Sequence, residues 1–176
     1  MGGYASVEAN PLPKVKAIVG LRVEKYTQFY TGTNQNSTII FNEEKVLDDL
    51  DFFPTLNLVL NVKEAQNLRF SVARTIARPS FKELSFAEII DPISGRTFVG
   101  GLFKETTNAG TEVLWDGNLV STNINNFDVR WEMFQPKGEM WSFGAFYKTF
   151  ENPIEIVQFL SDAGAFQPRN VGNGTV

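Results

Sequence analysis

The sequence predicts an all-β protein, an antiparallel up-and-down meander that forms part of a transmembrane β-barrel. Several segments alternate strictly between apolar and polar residues, which places successive side chains on opposite faces of a strand. Three of the apolar faces (residues 15–23, 56–62 and 127–133) carry no charge, whereas the opposite faces carry charges of both signs. Short and long connections also alternate along the chain, as they do at the two ends of an outer-membrane barrel.

Six segments are predicted to form strands, and a seventh begins near residue 170. The longest alternation starts at Val15, and the clearest hairpin joins two alternating segments through the turn at residues 135–139. Pro11 and Pro13 are expected to end the first strand, because proline cannot donate to a β-ladder. In chain order, the predicted strands are 4–9, 15–30, 52–62, 68–77, 124–134 and 141–148, with the start of another at 170–176.

Arg74 interrupts the pattern of the fourth strand, because it falls on the apolar parity between Val72 and Ile76. Two physical explanations remain open. A β-bulge at this point would change the face on which the side chain lies. Alternatively, Arg74 lies near the end of the strand, where its long side chain can carry the guanidinium group to water.

The connections distinguish a membrane barrel from a sandwich. Those near residues 10–14, 63–66 and 135–139 are a few residues long, and those near 31–51, 78–122 and 152–168 are long. Hairpins in a sandwich have no reason to alternate in this way, whereas an outer-membrane barrel has short periplasmic turns and long extracellular loops. Strands of about ten residues also match the length that crosses a membrane at a tilt.

Composition excludes several classes of function. The chain has 176 residues, enough for one domain with a sizeable core. It contains no cysteine and no histidine, which removes thiol catalysis, Cys/His zinc sites, imidazole acid–base chemistry and disulfides. The net charge of −4 gives no indication of a nucleic-acid-binding surface. No apolar run is long enough for a spanning helix, and residues 1–4 lack the features of a signal peptide.

Three groups of charged residues are candidates for chemistry, and each has a simpler interpretation. The acidic run Glu43–Asp51 could bind calcium through oxygen ligands, but its spacing is irregular and a solvated loop explains it. Asp128 and Glu132 could act as a glycosidase pair, although alternating charges are expected on a wet barrel wall. Arg74 and Arg78 could bind an oxyanion or pair with strand carboxylates. The sequence therefore predicts no enzyme activity and assigns no catalytic, cofactor-binding or metal-binding residue.

Several stretches of the chain together resemble one known family. They are Gly20-Leu21-Arg22-Val23-Glu24, Phe53-Pro54-Thr55-Leu56-Asn57-Leu58, Arg74-Thr75-Ile76-Ala77-Arg78-Pro79-Ser80-Phe81-Lys82-Glu83-Leu84, Asn125-Asn126-Phe127-Asp128-Val129-Arg130-Trp131-Glu132-Met133-Phe134, Phe146-Tyr147-Lys148 and Asn152-Pro153-Ile154-Glu155. In order and approximate spacing, they resemble the C-terminal β-barrel region of TonB-dependent outer-membrane receptors, particularly those of Bacteroidetes-type bacteria. One departure is Leu119 after Gly117-Asn118, where the family usually has proline.

The resemblance implies a receptor that imports a scarce nutrient of the siderophore, cobalamin or glycan class across the outer membrane of a Gram-negative bacterium. Members of this family resemble a barrel of about 22 strands. The six or seven strands of this chain are therefore expected to form a fragment that does not transport by itself. Residues 1–176 are expected to be barrel only, without a plug domain or signal peptide. The implied partners are outer-membrane lipid, the plug domain and remaining strands of the parent receptor, the TonB complex acting through that parent, and a small-molecule cargo of unknown identity. No nucleic acid and no cofactor are implied, and the loops at 31–51 and 78–122 are expected to contact the cargo.

An alternative of a different class remains open, namely a soluble β-barrel or sandwich that binds a small apolar ligand in its interior. The chain length fits, because an eight-stranded cup can hold one ligand. The alternation of short and long connections argues against it, as do the charges on the faces that would point inward. Solubility without detergent distinguishes the two hypotheses.

Overall fold

The computed structural model describes residues 1–34 and 37–176, and this part of the chain is all β. Thirteen strands form three sheets, of which the largest has seven strands. None of the described residues forms a helix that could cross a membrane. The strands are β1 (Gly2–Leu12), β2 (Val15–Thr33), β3 (Ile40–Lys63), β4 (Gln66–Ala77), β5 (Glu88–Ile90), β6 (Thr97–Val99), β7 (Glu105–Thr106), β8 (Val113–Trp115), β9 (Thr122–Phe134), β10 (Met140–Glu151), β11 (Ile154–Gln158), β12 (Ala165–Asn170) and β13 (Gly174–Thr175).

The seven-stranded sheet, called the main sheet, is an antiparallel meander with the order β1-β2-β3-β4-β9-β10-β13. Long strands therefore follow one another in chain order and end with the two-residue β13. This confirms the predicted all-β meander. Within the described residues the sheet does not close, because β1 and β13 pair on one side only. Its geometry is that of a partial barrel.

The strand register places the apolar residues of neighbouring strands in continuous rows across the main sheet. One row consists of Ala17, Leu58, Phe70, Val129 and Ala145. Because side chains alternate along each strand, every second residue joins the same face. We call the surface formed by these rows the apolar face and the opposite surface the polar face. The uncharged strand faces predicted from the sequence are thus one continuous surface.

The first strand is longer than its prolines predict. β1 continues through Asn10 and Pro11 to Leu12, which pairs with Val15, and the register shifts between Ala9 and Leu12. β1 lies at the edge of the main sheet, where a missing N–H donor leaves no inner partner unsatisfied. The predicted strand end at Ala9 is therefore wrong, and the edge position is the physical reason.

The prediction of a long loop at residues 31–51 is wrong over most of its length. β2 continues to Thr33 and β3 begins at Ile40, so the two strands form a hairpin extension beyond the apolar rows. Register shifts between residues 28 and 32 change which side chains share a face. These shifts interrupt the alternation by which a strand is recognised in sequence. Residues 35–36 of the predicted loop lie outside the described residues.

The acidic run lies on β3 rather than in a solvated loop, and its carboxylates have specific partners. Asp48 forms ion pairs with Lys25 and with Lys45, whose Nζ lies 2.7 Å from Asp48 Oδ2. The hydrogen bond from Lys25, followed by that from Lys45, lowers the pKa of Asp48 well below its ordinary value. Within residues 1–34 and 37–176, no cluster of acidic side chains has a metal-binding arrangement. The acidic run is therefore part of a charged strand.

Arg74 lies on the apolar face, near the C-terminal end of β4. The pairing of β4 with β9 is regular through Arg74 and Asn125, so there is no bulge between these strands. The pairing of β4 with β3 ends one residue earlier, at Ala73. The Arg74 guanidinium donates to Asn123 Oδ1 at 2.8 Å. Of the two explanations, the position near the strand end is therefore the one that applies.

The two long connections contain ordered sheets of their own, contrary to the prediction of irregular loops. Residues 78–121 and 152–173, called the loop module, include a four-stranded sheet with the order β11-β12-β6-β5 and the hairpin of β7 and β8. These strands are two to six residues long. Segments of this length are too short for a reliable alternating pattern.

The hydrophobic core lies between the loop module and the hairpin extension of β2 and β3. Leu47 of the extension is buried with Leu84 and Leu119 of the loop module. Partly buried side chains surround this cluster, namely Tyr26, Val46, Leu102, Trp115 and Ile154. Much of the apolar face of the main sheet remains exposed by contrast. Contiguous exposed apolar surface of this kind indicates contact with a partner or a membrane.

Candidate functional site

The polar face of the main sheet carries a network of charged and hydrogen-bonding side chains. Arg69 Nε of β4 donates to Glu132 Oε2 of β9 at 2.7 Å, and Arg130 NH1 lies 3.9 Å from Glu132 Oε1. Across β3 and β4, Ser71 Oγ donates to Asn57 Oδ1 at 2.8 Å. A groove in this face is lined by the side chains named above, namely Arg69, Arg130, Ser71 and Asn57. The arrangement agrees with the wet, charged wall that the alternating pattern predicts.

The structure does not bring Asp128 and Glu132 together as an acid–base pair. Glu132 is buried, and both of its carboxylate oxygens face a guanidinium group. Asp128 lies four residues away along the strand, opposite Ser71. The cations thus occupy the oxygens that a glycoside would have to reach. The geometry favours a structural ion pair over glycosidase chemistry.

Arg78 holds the start of the loop module against the polar face. Its NH2 lies 2.8 Å from Asp51 Oδ2 and 3.1 Å from Glu24 Oε2, and the guanidinium covers the Tyr26 ring at 4.7 Å. Burial opposes the charged form, but the hydrogen bonds that Arg78 donates to Asp51 and Glu24 raise the pKa of Arg78 above its ordinary value. Of the two arginines, Arg78 therefore pairs with strand carboxylates, whereas Arg74 forms no such pair among the described residues.

The other end of the first segment of the loop module, residues 78–121, is also hydrogen-bonded to the main sheet. Ser121 Oγ donates to Asp49 Oδ2 of β3 at 2.6 Å. The Asn170 side chain accepts from the Val120 amide at 2.8 Å and donates to the Val120 carbonyl at 2.9 Å. It also donates to the Asn152 carbonyl oxygen at 2.7 Å. The two segments of the loop module are thereby joined to each other and to the main sheet.

A buried ionic network lies at the centre of the loop module. Arg169 NH2 of β12 pairs with Glu105 Oε2 of β7, and Arg169 Nε donates to Gln167 Oε1 at 2.9 Å. Ser161 donates to Glu105 Oε1 from its amide at 2.9 Å and from its hydroxyl at 2.8 Å. Gln167 Nε2 donates to two backbone carbonyl oxygens, each at 2.8 Å. A buried charge pair of this kind requires such additional hydrogen bonds. The network therefore fixes the relative positions of three segments.

Glu105 makes the loop module sensitive to acid. Burial opposes ionisation of its carboxyl group, but the Ser161 amide and the Arg169 guanidinium outweigh burial, so the pKa of Glu105 is lowered. A lowered pKa contributes stability at neutral pH. That stability is lost as the pH falls through the ordinary glutamate value of about 4.3 and towards the lower pKa of the folded chain.

Acidification is therefore expected to loosen the loop module below about pH 4. Trp115 reports on this region, because its indole Nε1 donates to the Gly101 carbonyl at 2.8 Å. The measurement is Trp115 emission during acid titration of the folded chain carrying Trp131→Phe and Trp141→Phe. We expect a shift to longer wavelength, and a smaller acid-induced shift when Glu105→Gln is added. An identical titration with and without Glu105→Gln would contradict this role.

Two glycines permit close backbone contacts in the loop module. A Cβ at Gly100 would lie 2.0 Å from the Ser85 carbonyl oxygen. Gly117 has a φ of +82°, and a Cβ there would lie 2.6 Å from the Leu102 carbonyl oxygen. Left-handed backbone is readily adopted by glycine and costly for other residues. These positions explain how strands of only a few residues are held in a compact unit.

Four aromatic rings join the two regions that are expected to contact cargo. Tyr30 and Phe41 belong to the hairpin extension, and Phe86 and Phe103 belong to the loop module. The rings of Phe41 and Phe86 are stacked with centroids 4.3 Å apart, and Phe103 meets Phe86 edge-on at 5.4 Å. The stretches 31–51 and 78–122 therefore contact each other and form one surface.

Sequence reasoning missed Glu105, Gln167 and Arg169. The ion pair joins residues separated by 64 positions, and both lie on short strands. Their charges follow no regular spacing in the sequence. Only the folded chain brings them together.

The chain matches one protein-family model and is similar in fold to several solved structures. The model of the family "TonB dependent receptor-like, beta-barrel" matches residues 2–176. Similar solved structures include the siderophore receptor PirA from Pseudomonas aeruginosa, with 16% identity and a TM-score of 0.65 over 99% of this chain and 29% of that one. The ferric enterobactin receptor PfeA, solved in complex with BCV-L6, has 17% identity and a TM-score of 0.65 over 99% of this chain and 23% of that one.

A third similar structure is the hemophore receptor HasR of Serratia marcescens, solved as a double mutant with its hemophore and heme. It has 13% identity and a TM-score of 0.68 over 99% of this chain and 30% of that one. The chain thus spans less than a third of each of these proteins. No curated protein sequence matches the chain. Because the family match extends over residues 2–176, the chain belongs to the TonB-dependent receptor-like β-barrel family.

Proposed function

We propose that residues 1–176 form part of the barrel wall of a nutrient receptor in the outer membrane of a Gram-negative bacterium. One observation carries this proposal, namely the two unlike faces of the main sheet. The apolar rows are largely exposed, and the loop module packs on the polar face through Arg78 and Ser121. In a membrane barrel the first face contacts lipid and the second faces an aqueous lumen.

We infer that the chain is a piece of a longer receptor, similar to the C-terminal barrel region of Bacteroidetes-type receptors, and that it does not transport by itself. The share of the similar structures that it spans supports this inference. So do the open sides of β1 and β13, whose free amides and carbonyls would be costly in lipid. The remaining strands and the plug domain then belong to the parent receptor, through which the TonB complex acts.

The proposed cargo is a small molecule of the siderophore, cobalamin or glycan class. Two similar structures are described as a siderophore receptor and a ferric enterobactin receptor, which favours an iron-carrying cargo. The loop module and the hairpin extension are the proposed contact surface, because their aromatic and ionic contacts hold them together at one end of the polar face.

The soluble alternative, a barrel or sandwich with an apolar ligand inside, has less support. Through Arg78, the loop module packs on the face that carries Asp51 and Glu24 rather than on the apolar face. An interior built from the polar face would present charged groups to an apolar ligand.

Detergent dependence tests the proposed function. Residues 1–176 are expressed without detergent and followed by size-exclusion chromatography and near-UV circular dichroism. We expect aggregates that become dispersed and rich in β-structure only in detergent, because the apolar face has no cover in water. A sharp monomer peak without detergent, with fixed aromatic signals, would overturn the membrane assignment.

A further inference from the structure

β11 forms an open edge of the four-stranded sheet in the loop module, which we call the loop sheet. The order β11-β12-β6-β5 gives β11 one neighbour, and its other side has no strand in the described chain. β11 is five residues long and contains no proline, no lysine and no bulge. Such features commonly protect an edge strand against pairing with another chain. β11 therefore has an edge that can accept a further strand.

The hydrogen-bond pattern shows which backbone groups of β11 face the open edge. At the start of the ladder, the Val171 amide donates to the Pro153 carbonyl at 2.9 Å. Because hydrogen-bonded pairs alternate along an antiparallel ladder, the backbone groups of Glu155 and Val157 face β12. The open edge thus presents the amides and carbonyls of the other three residues, Ile154, Ile156 and Gln158.

Two observations agree with this assignment. Pro168 of β12 lies directly opposite Ile156, at a pair where no amide is needed because proline has none to donate. Outside the strand ladders, no backbone hydrogen bond within residues 1–34 and 37–176 involves the three edge residues. The Ile156 side chain is also 58% exposed. The centre of the edge is therefore open in both its backbone and its side chain.

An apolar groove lies beside this edge on the outer face of the loop sheet. The inner face carries Gln167 and Arg169, which belong to the buried ionic network. Side chains of the opposite parity line the outer groove, namely Ile89, Phe98, Ile156 and Pro168, together with Lys82 and Glu83, which have opposite charges. A strand added to β11 would place every second side chain on this outer face, and aliphatic side chains there would extend the apolar surface.

The charges along the edge are negative. Glu155 lies within β11, Glu151 precedes the strand and Asp162 follows it, and all three are exposed. None of them belongs to an ion pair of the described chain. Arg169 lies opposite Glu155 in β12 but pairs with Glu105. A basic side chain beside Glu155 is therefore favoured. A free terminal carboxylate at either end would be repelled, which favours an internal segment of a longer chain.

We propose that β11 binds an extended segment of a partner protein by β-strand addition. Aliphatic residues of that segment lie opposite Ile154 and Ile156, and basic residues alternate with them and reach Glu155. An extended polypeptide supplies donors and acceptors at the spacing of the open edge, and its side chains supply the specificity. The antiparallel orientation is the more stable one per residue. This inference does not rest on the proposed function, because the loop sheet has this edge whichever face of the main sheet contacts lipid.

Peptide binding with selective N-methylation tests the proposal. The probe is the peptide Val-Lys-Val-Lys-Val with fluorescein at its N-terminus and an amidated C-terminus, so that it mimics an internal segment. It is titrated with the 176-residue chain folded in maltoside micelles, and fluorescence anisotropy is measured against micelles alone. We expect saturable binding. N-methylation of the valines, whose amides face β11, is expected to weaken binding at least about tenfold.

N-methylation of the lysines is the matched control, because their amides face away from β11, and binding is expected to persist. Equal binding of the two methylated peptides would overturn strand addition and identify adsorption to the micelle. Absence of saturable binding by the unmodified peptide would also overturn the proposal.

Variants of the protein locate the site. Ile156→Pro removes an amide of the open edge that β12 does not use, and it is expected to weaken binding at least about tenfold. Ile90→Pro on β5, the other edge of the loop sheet, is expected to retain binding, because its amide also faces away from its neighbour. Unchanged binding to folded Ile156→Pro would overturn the site. Should this variant fail to fold, the methylated peptides decide the question with the protein unchanged.

Charge reversal tests the preference for basic residues. Glu155→Lys is expected to weaken binding of the valine–lysine peptide about fivefold and to strengthen binding of the corresponding valine–glutamate peptide. An unchanged order of the two affinities would overturn the role of Glu155.

Hydrogen exchange distinguishes other occupants of the edge. The amides of Ile154 and Ile156 are expected to exchange freely in the chain alone and to gain protection with the peptide. Protection without peptide in a chain that elutes as a dimer would identify a second copy as the occupant. Protection without peptide in a monomer would show that the chain covers its own edge. Either result would overturn the proposal.

Discussion

Replacing Arg169 by alanine is expected to destabilise the loop module by about 3–5 kcal/mol, because it leaves Glu105 as an uncompensated buried charge. The Arg169 side chain is 9% exposed and the Glu105 side chain 1% exposed, so water cannot replace the lost partner. Gln167 also loses the donor to its side-chain oxygen. The long strands of the main sheet do not contain this pair, and they are expected to keep their structure.

Hydrogen exchange measures this effect in the chain folded in detergent. The backbone amides of β12 and β6 are expected to lose protection, and those of β3 and β4 are expected to retain it. Lys16→Ala is the control, since it removes a pair with Glu8 whose side chains are 42% and 56% exposed. Exposed pairs contribute at most about 1 kcal/mol. Unchanged protection of β12 after Arg169→Ala would show that the ionic network does not hold the module together.

A double substitution tests whether the unpaired buried carboxylate, rather than the loss of the ion pair itself, causes the loss of protection. Glu105→Leu together with Arg169→Met removes both charges and keeps apolar volume at the site. Such exchanges of a buried pair are often neutral or stabilising. The double variant is therefore expected to recover much of the protection lost in Arg169→Ala. Recovery would identify the unpaired carboxylate as the cause of the loss.

An arginine on the apolar face, midway along a long strand, is expected to have the second largest effect. Ala145 lies in the row with Val129 and Phe70. Ala145→Arg is expected to destabilise the chain in lipid vesicles by about 2–4 kcal/mol, because a charge on the lipid face near the bilayer centre is costly. Urea titration of the vesicle-inserted chain measures this change in the free energy of unfolding.

Ser142 provides the matched control on the same strand. It is also small and exposed, it belongs to the polar face, and it lies directly opposite Glu132. Ser142→Arg is therefore expected to cost less than about 1 kcal/mol. Equal losses for the two variants, or a larger loss for Ser142→Arg, would contradict the assignment of the apolar face to lipid.

The main sheet was predictable because its information is local. A strand with one apolar face repeats every two residues, and Phe127 to Met133 follow that period without interruption. Short turns between such strands make them antiparallel neighbours. The order of the main sheet follows directly, since each long strand pairs with the next long strand in the chain.

The hairpin extension and the loop module were not predictable for different reasons. In the extension, the register shifts after Gln28 and again after Tyr30, so a strand that is continuous in space appears irregular in sequence. In the loop module, β6 pairs in parallel with β12, although the two strands are far apart in the chain. Pairing of this kind depends on the packing of whole segments rather than on a repeated pattern.

The sequence by itself determined the all-β class, the order of the long strands and the presence of an apolar and a charged face. It did so because alternation and turn length act between neighbouring residues. The tertiary structure decided the positions of Arg78, Glu105 and Arg169 and the close contact at Gly100. Each of these depends on atoms that are distant in the chain and meet only when the loop module packs or the strands align. The scaffold is thus specified locally, whereas its ionic contacts and binding surfaces require the complete fold.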